Sequence, residues 1–136
     1  MGAGRLGQAG EHLARGGRAD NDSQKVEMEE PYMRWYHYLA LFFAGAFLVN
    51  SVPHFTNGVS GRPFPSPFAS PPGQGLSSPI VNVLWGSFNF IVGVFLCRAG
   101  RFDSKRLLST ATVAVGGILM AVMLANAFGQ VFAGTR

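Results

Sequence analysis

Charged residues and cysteine are both scarce in this sequence of 136 residues. Only 13% of the residues are charged and 48% are hydrophobic, a balance too apolar for an ordinary soluble domain of this length. Cys97 is the single cysteine, so one chain can form neither a disulfide nor a CxxC metal or redox motif. The shortage of charge favours a membrane protein before any segment of the chain is considered.

The positive charge that is present does not indicate a nucleic-acid-binding protein. The net charge is +4 and the isoelectric point is about 9.8. However, the basic residues do not gather into one stripe interleaved with stacking aromatic residues, as they would for nucleic-acid binding. They flank apolar segments instead, which is typical of membrane anchors. We therefore expect membrane lipid, and no nucleic acid, as a partner.

The sequence also lacks the residues that usually form catalytic, metal and cofactor sites. The three histidines are scattered, because His12 lies near the N-terminus while His37 and His54 lie near opposite ends of one apolar segment. No acid/base pair is visible. The stretch from Gly2 to Gly7 matches GxGxxG formally, but no strand precedes it and no βαβ unit can follow. We predict no cofactor, no metal and no catalytic residue, and an enzyme is the less favoured class.

Three long uncharged segments predict an all-α membrane bundle. Trp35 to Val52 and Ile80 to Cys97 each contain 18 residues, and Leu107 to Phe128 contains 22. As helices they would be about 27 and about 33 Å long, close to the thickness of the hydrocarbon core of a bilayer. Ser78 and Pro79 suit the N-cap and first helical position of the second segment. A soluble three-helix bundle would need polar faces that these segments lack.

The distribution of positive charge predicts the topology. Four basic residues lie within nine residues between the second and third helices, whereas the connection from Pro53 to Pro79 contains one basic residue, Arg62. Basic connections stay on the cytoplasmic side of a membrane. We expect the N-terminus on that same side and the first connection and C-terminus outside. The four basic residues are Arg98, Arg101, Lys105 and Arg106.

The N-terminal tail differs from the rest of the chain. Residues 1–30 are polar and glycine-rich, carry mixed charge and contain almost no large apolar side chains. Such a composition cannot bury enough apolar surface to fold. We predict a disordered cytoplasmic tail over residues 1–30 and a three-helix membrane domain over residues 31–136.

The first connection is unusually long and rich in proline and phenylalanine. Loops longer than about 12 to 15 residues are usually functional or disordered. The prolines between Pro63 and Pro67 favour an extended, polyproline-like path, and Phe55, Phe64 and Phe68 are spaced along the segment. We expect it to fold back and bury its rings against the helix ends or the lipid interface. It would serve either as a rigid structural lid or as a loop that contacts a ligand or partner.

This connection and the helix after it resemble a group of small, uncharacterised bacterial multi-pass membrane proteins. The resemblance covers roughly residues 33 to 98. It implies a bacterial inner membrane and carries over no catalytic role. The segments that carry it are HFTNGVSGRPFPSPFA from His54 to Ala69 and VNVLWG from Val81 to Gly86.

Small and polar residues form stripes on the second and third helices. On the second helix they recur at spacings of four, three, four and four, which places them on one face. On the third they repeat every fourth position, a pattern that lets helix backbones approach closely. We expect both stripes to pack against other helices. The residues are Asn82, Gly86, Asn89, Gly93 and Cys97 on the second helix, and Gly117, Ala121 and Ala125 on the third.

Five polar side chains are predicted to meet near the outer ends of the three helices. Asn50 and His54 end the first helix, Asn82 begins the second, and Asn126 and Gln130 end the third. Asn50 with His54, and Asn126 with Gln130, are four residues apart and therefore share a helix face.

Two interpretations of this cluster are open. It either caps helix ends and holds the first connection, or it forms an outward-facing polar pocket roofed by Phe64 and Phe68 that binds a small molecule or lipid headgroup.

Two functional classes follow from these patterns. The favoured class is a structural or interaction component that assembles with itself or with another membrane protein through its Gly, Ala and Asn faces. The alternative is a small transporter element or ligand-binding membrane protein that uses the polar pocket. The first class is favoured because none of the predicted helices contains Asp, Glu, Lys or Arg, and charges within the membrane usually mark ion or proton pathways.

Overall fold

The structure, a computed structural model, describes residues 33–134. Three helices and one small hairpin make up this part of the chain, and the predicted tail, residues 1–30, lies outside it. The elements in chain order are α1 Trp35–Val59, β1 Phe64–Pro65, β2 Leu76–Ser77, α2 Pro79–Ala99 and α3 Leu107–Ala133.

Each of the three helices is long and apolar enough to cross a membrane. They contain 25, 21 and 27 residues, which corresponds to helices about 38, 32 and 40 Å long. All three therefore exceed the hydrocarbon thickness of about 30 Å. The predicted all-α class with three spanning helices is confirmed.

Helix α1 is longer than predicted, because it continues through Pro53 to Val59 instead of ending at Val52. Proline lacks the N–H that would bond the carbonyl four residues earlier, and helices in an apolar environment tolerate this loss. The Thr56 hydroxyl donates to the Val52 carbonyl at 2.8 Å, and the Asn57 side-chain amide donates to the Pro53 carbonyl at 2.7 Å. The first connection therefore starts at residue 60, seven residues later than the sequence suggested.

The other two helices also exceed their predicted bounds. Helix α2 begins as expected, with the Ser78 hydroxyl accepting the Val81 backbone N–H and Pro79 at the start, and it ends at Ala99 instead of Cys97. Helix α3 starts at Leu107 and continues to Ala133, beyond the predicted end at residue 128. Residues 129–133 include neither proline nor charge, so nothing in them stops the helix.

Helix α1 is the central helix of the bundle. It packs against both α2 and α3, whereas α2 and α3 make few direct contacts with each other. Glycines bring the backbones together at both interfaces. A Cβ added to Gly116 would overlap the Phe42 carbonyl oxygen, and one added to Gly86 would lie 2.6 Å from the Phe55 backbone nitrogen. The bundle is therefore two helix pairs that share α1.

The first connection, residues 60–78, folds back as a short hairpin. Strands β1 and β2 pair antiparallel, with Phe64 opposite Ser77 and Pro65 opposite Leu76. At its start Gly61 adopts a left-handed conformation (φ +70°), which lets the Arg62 N–H bond the Asn57 carbonyl and ends α1.

Candidate polar site at the hairpin end of the bundle

A buried hydrogen bond joins α1 and α2 beneath the hairpin. His54 and Asn82 are 3% and 0% exposed, and His54 Nδ1 lies 2.9 Å from Asn82 Oδ1. Both residues are in the predicted polar cluster. Their pairing depends on the continuation of α1 through Pro53, since His54 would otherwise lie in a loop.

Asn82 also ties α2 to the hairpin. Its Nδ2 lies 3.0 Å from the carbonyl oxygen of Phe64, 3.1 Å from that of Ser77 and 3.2 Å from that of Ser78, so two amide hydrogens are shared among three acceptors. Carbonyl oxygens only accept hydrogen bonds, so the amide nitrogen must face them and Oδ1 must face His54. The His54 imidazole therefore carries a hydrogen on Nδ1, and in its neutral form Nε2 is an acceptor.

The Phe64 ring covers this pair and links it to α3. It is 7% exposed, and its centroid lies 5.5 Å from that of His54 and 4.6 Å from that of Phe128. The Phe128 ring also lies edge-on to His54 at 6.0 Å. Aromatic contacts at these distances favour edge-to-face geometry, as seen here. The hairpin thus holds the ends of all three helices together.

Phe68 lies elsewhere and does not cover His54, contrary to the predicted roof. It is 67% exposed and packs edge-on against Trp85 at 5.2 Å. The Trp85 ring stacks on Phe88 in turn. Its Nε1–H is buried and has no acceptor within the described residues. Only one of the two predicted roof residues therefore contacts the polar pair.

Asn50 belongs to a second hydrogen-bonded pair. Its Nδ2 donates to Asn89 Oδ1 at 2.9 Å, and Asn89 Nδ2 donates to the Trp85 carbonyl at 2.7 Å. Asn89 is buried, as an amide near the middle of a membrane helix requires. The α1–α2 interface thus contains two polar contacts, Asn50–Asn89 and His54–Asn82.

Asn126 and Gln130 do not join the other polar residues. Gln130 Nε2 donates to Asn126 Oδ1 at 3.2 Å, so the expected four-residue pair forms, but both side chains are exposed on α3. Gln130 lines an open groove of about 720 Å³ between the end of α3 and the segment from Pro71 to Gly75. The structure therefore brings His54 and Asn82 together but leaves Asn126 and Gln130 apart from them, because α3 turns Phe128 inward and this amide pair away.

The predicted packing stripes are used to different extents. On α2, Gly86, Asn89 and Gly93 are buried against α1, and a Cβ on Gly93 would lie 2.7 Å from Leu48. These residues are buried in contacts within the chain and are not free to contact another protein.

On α3, only Gly117 of the predicted stripe is buried, whereas Ala121 and Ala125 are exposed. The residues that α3 buries are Ser109, Gly116 and Gly117.

Several residues of this site were not predicted. The Ser66 and Ser77 hydroxyls lie 2.6 Å apart inside the hairpin, and Phe128 packs on Phe64. No periodicity signals the serine pair, because it depends on hairpin register. Phe128 was also missed, because the sequence does not show which face of the uniformly apolar α3 points toward the bundle.

The chemistry available at this site is hydrogen bonding and aromatic packing. Within residues 33–134, no group of three or more His, Cys, Asp or Glu could hold a metal ion. The contacts of His54 and Asn82 fix the hairpin onto the bundle, which agrees with the structural interpretation of these two residues.

No family model, curated protein or solved structure matches this chain.

Proposed function

We propose that this chain is a multi-pass membrane protein that serves as a structural or interaction component, and that α3 is the helix through which it contacts a second copy or another membrane protein. The observation that carries the proposal is the unequal burial of the helices. In the most apolar 18 residues of each helix, 33% are buried for α1 but only 17% for α3. Helix α3 therefore has the largest surface free for lipid or a partner.

The exposed face of α3 is suited to a helix partner. Ala121 and Ala125 lie on it, and a Cβ added to the nearby Gly129 would meet nothing within 4 Å. Small residues at this spacing allow close approach of another helix, and exposed amides such as Asn126 can hydrogen-bond across such an interface. Gly86, Asn89 and Gly93 already contact α1 inside the chain, so of the two predicted small-residue stripes the one on α3 is available for assembly.

The proposed location is a bacterial inner membrane with the N-terminus in the cytoplasm. Two arguments support it: the resemblance of residues 33 to 98 to small bacterial membrane proteins, and the basic residues between α2 and α3. The hairpin and the C-terminal end of α3 then lie outside the cytoplasm.

Native mass spectrometry of the full chain in lipid nanodiscs tests the proposed assembly. The wild type should appear as more than one copy, or with another membrane protein. Ala125→Leu should reduce that species, whereas Ala99→Leu, at an exposed alanine on α2, should leave it unchanged. A single copy without a companion under all conditions would contradict the proposal.

A second candidate function is binding of a small molecule or lipid headgroup, and the groove beside Gln130 favours it. Its lining includes the side-chain amides of Gln74 and Gln130, which can both donate and accept hydrogen bonds. A compound retained by the purified protein should be lost in Gln130→Ala while assembly is unchanged. Retention of the same compound by this variant would show that the groove does not bind it.

A further inference from the structure

A second groove lies between α2 and α3, because both helices pack on α1 and hardly on each other. Its volume is about 500 Å³, within the range of small-molecule sites. We call it the membrane groove. Its floor includes Phe47 and Asn50 of α1, and its walls include Trp85 and Asn89 of α2 and Met120 and Met123 of α3.

The membrane groove lies near the middle of all three helices, at the depth of the lipid tails if the bundle spans a membrane. None of its lining residues is charged, and most are aromatic, aliphatic or methionine. Methionine side chains adapt to irregular apolar ligands. A charged ligand would be poorly stabilised at this depth, whereas a neutral lipid could enter sideways from the bilayer.

One polar atom at the groove has no hydrogen-bond partner that the chain supplies. Asn50 Nδ2 donates to Asn89, but Asn50 Oδ1 accepts no hydrogen bond from the described residues. The Nε1–H of Trp85 also has no acceptor among them, but it is buried, so an occupant of the groove does not reach it. An unpaired polar atom in apolar surroundings is unfavourable, so an occupant that donates a hydrogen bond to Asn50 Oδ1 would be stabilised.

A hydroxyl group is a small neutral group that can donate a hydrogen bond. We propose that the membrane groove binds a neutral lipid with a free hydroxyl group. The O–H donates to Asn50 Oδ1, and the hydrocarbon tail lies along Phe47 and the two methionines. This proposal rests on the membrane location but not on the proposed assembly through α3.

Fluorescence quenching of Trp85 tests this binding in the full chain reconstituted in phospholipid nanodiscs. Trp35→Phe leaves Trp85 as the only tryptophan, since the chain contains two. The probe is 9,10-dibromostearyl alcohol, and 9,10-dibromo-octadecane, which lacks the hydroxyl, is the matched control. The alcohol should quench Trp85 saturably and the hydrocarbon only in proportion to its concentration. Equal quenching by both compounds would overturn the proposal.

Variants separate binding from folding and from assembly. Asn50→Leu should weaken binding of the alcohol about threefold to tenfold, as expected for one lost hydrogen bond within a membrane. Asn126→Leu, at an exposed amide on α3, should not change it. Because Asn50→Leu also removes the contact with Asn89, Met120→Phe provides a second test by filling the groove while keeping both amides. Unchanged binding in both groove variants would overturn the proposal.

Crosslinking distinguishes a lipid from a second copy of the chain. When the alcohol is bound, a Met123→Cys variant in a Cys97→Ser background should not form a crosslink between two chains at residue 123. Efficient crosslinking between two chains at this position, together with no saturable quenching, would assign the groove to a protein partner and overturn the lipid proposal. The α3 assembly proposal would be unaffected, because its readout is Ala125→Leu.

Discussion

The two interfaces of α1 are built differently. Toward α2, α1 combines close backbone approach at Gly86 with the hydrogen-bonded pairs Asn50–Asn89 and His54–Asn82. Toward α3, the closest approaches occur where Gly45 faces Val113 and where Gly116 faces Phe42, at backbone carbonyl oxygens.

This difference separates two ways of joining helices in an apolar environment. Hydrophobic burial gives little preference between lipid and protein contacts inside a bilayer, so close packing and interhelical hydrogen bonds must provide the specificity. The α1–α2 interface uses both, and it also anchors the hairpin through Asn82. The glycine contacts of the α1–α3 interface tolerate almost no added volume. We therefore expect the largest mutational effect there.

Gly116→Leu should have the largest effect on stability. Its side chain would overlap the backbone of Phe42, which cannot move without displacing α1. The expected loss is about 3 kcal/mol or more, at the upper end of overpacking penalties. Reversible unfolding by SDS in mixed micelles measures it. Gly129→Leu, at a position with open space, is the matched control, and equal losses in the two variants would contradict the assigned interface.

Asn82→Leu should have the next largest effect, concentrated in the hairpin. The substitution removes the acceptor of His54 Nδ1 and the side-chain donor to the Phe64 and Ser77 carbonyls, at an expected cost of about 2 kcal/mol. Hydrogen exchange of residues 64–78 should rise strongly while the centre of α3 stays protected. Asn126→Leu is the control. Unchanged exchange in the hairpin would show that Asn82 does not anchor it.

Asn89→Leu should have the smallest effect of the three, about 0.6 to 2 kcal/mol, because it removes a single interhelical hydrogen bond. A double-mutant cycle with Asn50→Leu isolates that bond. The two losses should be less than additive if Asn50 and Asn89 bond each other. Strict additivity would instead show that the two amides act independently.

The helices of this molecule could be predicted from sequence because each is marked by a long segment without charged residues. Long uncharged segments indicate spanning helices, and the Ser78-Pro79 start follows from the backbone groups left unpaired at a helix N-terminus. The continuation of α1 through Pro53 could not be predicted, because a proline can either end a helix or be tolerated within an apolar one.

The candidate site was predicted less completely for a different reason. Four-residue spacing correctly placed Asn126 and Gln130 on one face of α3, but it could not show how α3 is rotated about its axis. In an apolar helix the residues that face lipid and those that face protein have similar hydropathy. Rotation is decided by close packing at Gly116 and Gly117, which becomes apparent only in three dimensions.

We propose that the chain crosses a membrane three times, with the residues between α2 and α3 in the cytoplasm and the hairpin outside. Reporter fusions after residue 62, after residue 102 and at the C-terminus test it most directly. The fusion after residue 102 should report the cytoplasm, and the other two should report the outside, as the basic residues from Arg98 to Arg106 predict. A cytoplasmic signal after residue 62, or an outside signal after residue 102, would contradict the three-span topology.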